Sequence, residues 1–199
     1  MSILDGYTDL EPGKIASVVT YLEMQRAPDA AAVPAKPEWL LERRSQPDVQ
    51  WYRSLFLAVG VEWLWFSRLQ MTDDALRSVI HDPAVDIFCF KINGEDKGIL
   101  ELDCREMPDV EIAFIGLIPE TIGHGAGKFL LDQAVRLAWS HRPRRVLVHT
   151  CTLDHPRALS LYRATGFVPY KRAIEVADDP RLDGTLPRSA APQIPLILG

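Results

Sequence analysis

Val110 to Leu131 reads VEIAFIGLIPETIGHGAGKFLL: an apolar strand, a glycine-rich turn and the opening of an amphipathic helix. Gly123, Gly125 and Gly127 strip side chains from the turn where a starting helix presents N–H groups that have no partner within it. Added to the positive end of the helix dipole, such a surface favours an anion, most often a phosphate.

Working outward, two strand-like runs precede this stretch, Val85 to Ile92 and Lys97 to Arg105. Between them Asn93-Gly94-Glu95-Asp96 is a strong hairpin signal, and Met107-Pro108-Asp109 offers a second turn. Three antiparallel strands therefore lead into the glycine turn. After it, a helix from Gly125 to about Ser140 places Leu130, Leu131, Ala134, Val135 and Ala138 on one face. Arg144 to His149 is a short strand. His155-Pro156 opens a further helix, with Asp154 or His155 as its cap and Gly166 as its stop. Phe167 to Val176 returns as a strand.

Upstream, Ile15 to Met24 alternates and is β-branched, which predicts a first strand, and the Ala/Pro-rich run Ala27 to Pro37 predicts a loop. Gln50 to Val59 has helical spacing, and Thr72 caps a helix running to about Ile80. Asp178 to Gly199 is proline-rich, a surface-hugging or mobile tail in which Ile194 to Leu198 is a candidate edge strand. The order of elements defines an α/β (α+β) fold, helices around a mixed sheet, as one domain over residues 1–199 with that tail appended.

Composition narrows the function. At 47% hydrophobic, 199 residues can bury a substantial core. The net charge of −5, with basic residues interspersed among acids, offers no surface for a nucleic-acid backbone but tolerates a cationic or amine substrate. The first residues, MSILDGYTDLEPGK, lack the basic-then-apolar order of a secretory leader, and no apolar run reaches membrane-spanning length. The expectation is a cytoplasmic protein without a membrane partner. Three scattered cysteines, Cys89, Cys104 and Cys151, suit reduced core thiols better than a disulfide framework or a zinc site. His149, Cys151, Asp154 and His155 cluster in sequence, yet no second ligand pair or nucleophile signature accompanies them, so strand end and helix cap explain them and no metal is expected.

Which phosphate the turn holds depends on spacing. A P-loop requires glycine at position 122 and Ser or Thr after Lys128, where this chain has Ile122 and Phe129. A dinucleotide fingerprint requires an early parallel βαβ unit and GxGxxG, where this chain has antiparallel hairpins and GxGxG. The stretch resembles instead the acyl-CoA-binding motif of the GCN5-related N-acetyltransferases, Gln/Arg-x-x-Gly-x-Gly/Ala. Gly125 and Gly127 match it and Ile122 departs from it. Ala158 to Phe167, ALSLYRATGF, is similar to the family's A-x-x-L-Y-x-x-x-G-F segment, with His155 standing where the family often has Asn.

The resemblance covers roughly Val85 to Val176 and implies a mixed, mostly antiparallel central sheet flanked by helices. It implies acetyl-CoA as cosubstrate, its pyrophosphate held by Gly123, His124, Gly125, Ala126, Gly127 and Lys128, with His155 adding a contact. A backbone N–H at Leu117 or Ile118 would polarise the thioester carbonyl, and Tyr162 would protonate the leaving thiolate.

Period two along residues 110–118 places Glu111 on one face with Ala113, Ile115 and Leu117, an apolar row in which a carboxylate stands out. The family's use of a Glu on this strand makes Glu111 the expected general base, with Asp103 opposite it as the other candidate. Trp63 or Trp65, in the aromatic segment VEWLWF, is expected to touch an amine substrate. The expected activity is acetyl transfer to a primary amine by direct attack in a ternary complex; the alternative is a catalytically silent acyl-CoA-binding module. Exposed strand edges leave room for a homodimer.

Overall fold

The computed structural model describes residues 5–198; the first four residues of the N-terminal stretch and Gly199 of the tail lie outside the described residues. In chain order the strands are β1 (Lys14–Met24), β2 (Trp39–Arg43), β3 (Val85–Ile92), β4 (Glu95–Asp103), β5 (Asp109–Leu117), β6 (Arg145–Cys151) and β7 (Val168–Asp178). The helices are α1 (Val49–Gly60), α2 (Asp73–Ile80), α3 (Ala126–Ser140) and α4 (Ala158–Ala164). The strands form one sheet in the order β2-β3-β4-β5-β6-β1-β7. Every neighbouring pair is antiparallel except β5 and β6. The expected α/β class, a mixed and mostly antiparallel sheet flanked by helices, is the one observed.

Local chemistry explains most boundaries. Asn93 and Gly94 both take positive φ, as the two-residue β3–β4 hairpin requires. The Asp48 carboxylate caps α1 by accepting from the N–H groups of Gln50 and Trp51, and Thr72 Oγ1 caps α2 through Ala75 N. β2 was not foreseen: WLLER is five residues long, half-exposed and without clear alternation, and it becomes a strand only by pairing with β3. α4 starts later than its Pro signal implied. Asp154 is not its cap; that carboxylate turns back to Thr150 Oγ1 (2.8 Å) and Cys151 N (2.9 Å).

The sheet divides the core. Phe88, Phe90, Leu100, Leu102, Ile112 and Val148 pack against α3 and α4 on one face. Ile87, Cys89 and Ile99 pack on the other against Tyr52, Phe56, Leu76 and Ile80 of α1 and α2. A third cluster joins Ile15 and Leu64 to Leu186, Ala190 and Ala191 of the C-terminal segment. That segment forms no edge strand at Ile194–Leu198; it winds around Arg181. The Arg181 guanidinium, 3% exposed, pairs with Asp179 and donates to the carbonyls of Ala190, Ala191 and Ile194.

Two irregularities shape the site. β5 and β6 pair only from Asp109↔Arg145 to Ile112↔Val148, and beyond that point they part. On its other side, β5 pairs Ile112 with Leu102 and Phe114 with Glu101, so Ala113 is left unmatched as a bulge. The extra residue flips the alternation. Glu111 therefore does not share a face with Ile115 and Leu117, as strict period two implied; it shares one with Phe114 and Gly116, on the α1 side.

Candidate active site

A cavity of about 660 Å³ opens where β5 leaves β6. One end is made of backbone. Gly123 and Gly125 have φ of +102° and +87°, left-handed values that favour glycine. Gly125 is the N-cap of α3 and supplies no capping side chain, so the first N–H groups of this fifteen-residue helix have no side-chain partner. Gly123, Gly125, Gly127 and Lys128 line the cavity. A Cβ on Gly127 would find nothing nearer than 3.9 Å. Arg157 lines the same cavity and, with Lys128, makes up the Lys and Arg of its wall. Uncapped donors and two cations fit a phosphate-bearing ligand such as CoA.

The free edge of β5 continues from this end. Ile118 N–H donates to Lys97 O at 3.0 Å, so the antiparallel alternation turns the N–H groups of Ile115 and Leu117 away from β4, toward the gap. Of the two expected carbonyl polarisers, Leu117 has its N–H on the free edge and Ile118 has its N–H committed to the ladder. Tyr162 lines the cavity from α4 and is 8% exposed. Burial, then the charge of Asp154, pushes its phenol well above the ordinary value and keeps it a proton donor.

The rest of the lining is mostly side chains. Trp63, Leu64, Trp65 and Phe66 form one wall beside His149, Cys151, Asp154, His155 and Glu175. Trp65 lies so close to two glycines that an added Cβ would sit 2.4 Å from its own Cβ at Gly60 and 3.1 Å from its ring at Gly116. Its indole N–H donates to Asp154 Oδ1 at 3.0 Å, tying the α1–α2 connection to the β6–α4 loop. Trp63 meets the His155 ring edge-on at 5.1 Å. Burial and the Asp154 charge push the Cys151 thiol up, which removes it as a ready nucleophile. Among the described residues no three His, Cys, Asp or Glu side chains converge as metal ligands.

The expected site residues are thus only partly brought together. Leu117, Gly123, Gly125, Gly127, Lys128, His155 and Tyr162 share the cavity; Ile118, His124 and Ala126 do not line it, Ala126 being buried beneath the turn. Glu111 stands behind the wall, its carboxylate 2.9 Å from His149 Nδ1. Asp103 is its cross-strand partner, as expected, but is turned to Arg105. Burial raises the Asp103 carboxyl, and the Arg105 hydrogen bonds reverse this and hold it below its usual value. Sequence reasoning set His149 and Asp154 aside as strand end and cap and did not single out Arg157 or Glu175. An unpaired run of polar residues after a buried strand was the only local signal.

The site thus lies where a mixed sheet splays at its one parallel pair, with an uncapped glycine turn at the mouth. The family model for the GNAT acetyltransferases matches residues 49–167, and the chain belongs to that family. No curated protein matches it in sequence. Among solved structures, a GCN5-related N-acetyltransferase from Sphaerobacter thermophilus superposes with a TM-score of 0.63 at 13% identity, over 82% of this chain and 52% of that one. One from Kribbella flavida gives 0.56 at 13% identity, over 86% and 63%. The chain thus spans about half to two thirds of their length. The aminoglycoside N-acetyltransferase AAC(6')-Iy, determined in complex with CoA, gives 0.51 at 18% identity, over 71% of this chain and 95% of that one.

Proposed function

We propose that the protein is an acetyl-CoA-dependent N-acetyltransferase that acts on a primary amine by direct attack in a ternary complex. The observation that carries this reading is that one cavity joins two kinds of lining. The glycine turn with Lys128 shares it with the carboxylates Asp154 and Glu175 and the aromatic segment Trp63 to Phe66. Uncapped backbone donors suit an anion, and carboxylates beside aromatic rings suit an ammonium.

Acetyl-CoA bound there supplies a thioester carbonyl carbon for the amine to attack. The amides of Gly125, Gly127 and Lys128 would hold the pyrophosphate, and the Leu117 N–H would bond the acyl oxygen as it gains charge. Tyr162 gives its proton to the departing sulfur and recovers one from the newly acylated nitrogen, so the phenol ends as it began. The ammonium must first lose a proton, and Glu111, behind the acceptor end, belongs to the group that receives it.

The test is thiol release from acetyl-CoA across a panel of small amines, aminoglycosides and peptides. Release with at least one acceptor class is the expected result. A protein that binds CoA by calorimetry and releases thiol with none of them would be a silent binding module.

A further inference from the structure

Of the two partners in the Glu111–His149 hydrogen bond, only His149 lines the cavity. A carboxylate can only accept, so the hydrogen between them sits on Nδ1. A neutral ring then carries its lone pair on Nε2, at the edge away from Glu111, and among the described residues no protein group bonds that nitrogen. We propose that His149 Nε2 takes the proton from the acceptor amine and that Glu111 acts through it as a positioning residue. This role rests on the acetyltransferase reading above.

The surroundings suit a group that must become cationic. Glu111 approaches from β5, Asp154 from the loop after β6 and Glu175 from β7. On β1, Tyr21 lies tilted against the imidazole with ring centroids 5.7 Å apart, and Lys171 of β7 lies over the Tyr21 ring at 4.6 Å, with Tyr170 on its margin. The hydrogen bond to Glu111 raises the imidazole above its ordinary 6.5; burial opposes this, and the charges of Glu111, Asp154 and Glu175 add to the rise. The Asp154 carboxylate is already bonded to Trp65, Thr150 and the Cys151 N–H, so it contributes charge rather than a free acceptor.

The step balances simply. An N–H bond of the ammonium breaks, the proton passes to Nε2, and the electron pair left on nitrogen forms the bond to the thioester carbon. The imidazolium, stabilised by Glu111, returns the proton to solvent, which its side chain reaches at 44% exposure. Glu111 fixes the tautomer throughout.

The experiment measures kcat/KM against pH for wild type, His149→Gln and Glu111→Gln, with CoA affinity by calorimetry and the His149 titration by NMR. Wild type should rise along one limb with its inflexion above 6.5, because only the neutral ring accepts a proton. His149→Gln should lose roughly 10²–10⁴-fold near neutrality and lose the limb, while holding CoA as before. Its rate should recover where the amine deprotonates unaided. Glu111→Gln retains an oxygen for Nδ1–H but no charge, so the inflexion and the NMR titration should move down together.

A His149→Gln enzyme that keeps its rate while Glu111→Gln loses it makes Glu111 itself the base and overturns the proposal. An inflexion unmoved in both variants reduces the pair to a structural contact and overturns it equally. Wild type inactive on every amine overturns the acetyltransferase reading, and this role with it; wild-type turnover that His149→Gln retains overturns this role alone.

Discussion

The glycine turn between β5 and α3 presents backbone to the cavity, whereas the α1–α2 connection, β6, β7 and the loop before α4 present side chains to it. The first is contiguous in sequence and depends on conformation at two or three glycines. The second is assembled from segments far apart in the chain and depends on whatever holds them in place. A change at one end should therefore alter donor affinity and spare the acceptor. A change at the other should do the reverse, and the prediction with the largest expected effect tests the residue between them. Tyr162→Phe removes the phenol proton without altering the packed ring, so kcat should fall ~10²–10⁴-fold with CoA affinity unchanged. Equal loss in CoA affinity would place Tyr162 in the donor end alone.

The acceptor end is next. Arg181 organises the C-terminal segment, whose Leu186, Ala190 and Ala191 pack against Leu64 of the aromatic wall. Arg181→Met leaves Asp179, 3% exposed, without its countercharge and with only the backbone N–H of residue 181 on Oδ1, which should cost about 3–5 kcal/mol in denaturant unfolding. The acceptor KM should rise and CoA affinity stay constant. The pH dependence has a definite sign. Hydrogen bonds from Arg181 hold the Asp179 carboxyl below its ordinary value despite burial. Its stabilisation is thus complete above the unfolded carboxylate pKa and is lost as pH falls through the lower folded value. Asp179→Asn should flatten that acid limb of the stability profile.

At the donor end the expected effect is smaller. Gly125→Ala places a Cβ at φ +87° with its nearest neighbour, the Trp39 ring, 3.9 Å away. The substitution therefore tests conformation without a clash. A left-handed non-glycine costs about 1–2 kcal/mol, so CoA affinity should weaken roughly tenfold in calorimetry while the acceptor KM holds.

The same contrast governs what could be read in the sequence. The turn, its flanking strand and helix, the β3–β4 hairpin and the Tyr162 segment are local patterns, and they appear where their spacing places them. Glu111 shows the limit. Its position opposite Asp103 was legible, but the bulge at Ala113 adds one residue and reverses every face assignment after it. Nothing in AFIG announces that extra residue, because the bulge is fixed by pairing with β4. His149 lies 38 residues from its carboxylate partner, on a strand whose neighbour is known only once the sheet is assembled. Arg181 bonds mostly carbonyls, which every residue has, so its partners leave no mark on composition. β2 is a strand only because β3 offers it an edge.

The smallest expected effect bears on how the acceptor end is held together. The indole of Trp65 is wedged against Gly60 and Gly116, and its N–H reaches Asp154, the carboxylate that also holds Thr150 and the Cys151 N–H at the end of β6. One hydrogen bond thereby fixes the aromatic wall relative to the strand that carries His149. Trp65→Phe keeps most of the packed ring and deletes the donor, a change worth about 1 kcal/mol. Asp154→Asn keeps an oxygen for the indole while weakening the bond by removing the charge. If the contact is a latch, the two single variants should each raise the acceptor KM a few-fold, and the double variant should do little more than the worse single. The cycle should then show about 0.5–1 kcal/mol of coupling. If the effects simply add, Trp65 and Asp154 support the wall independently, and the acceptor end is held by packing rather than by a bond across the cleft.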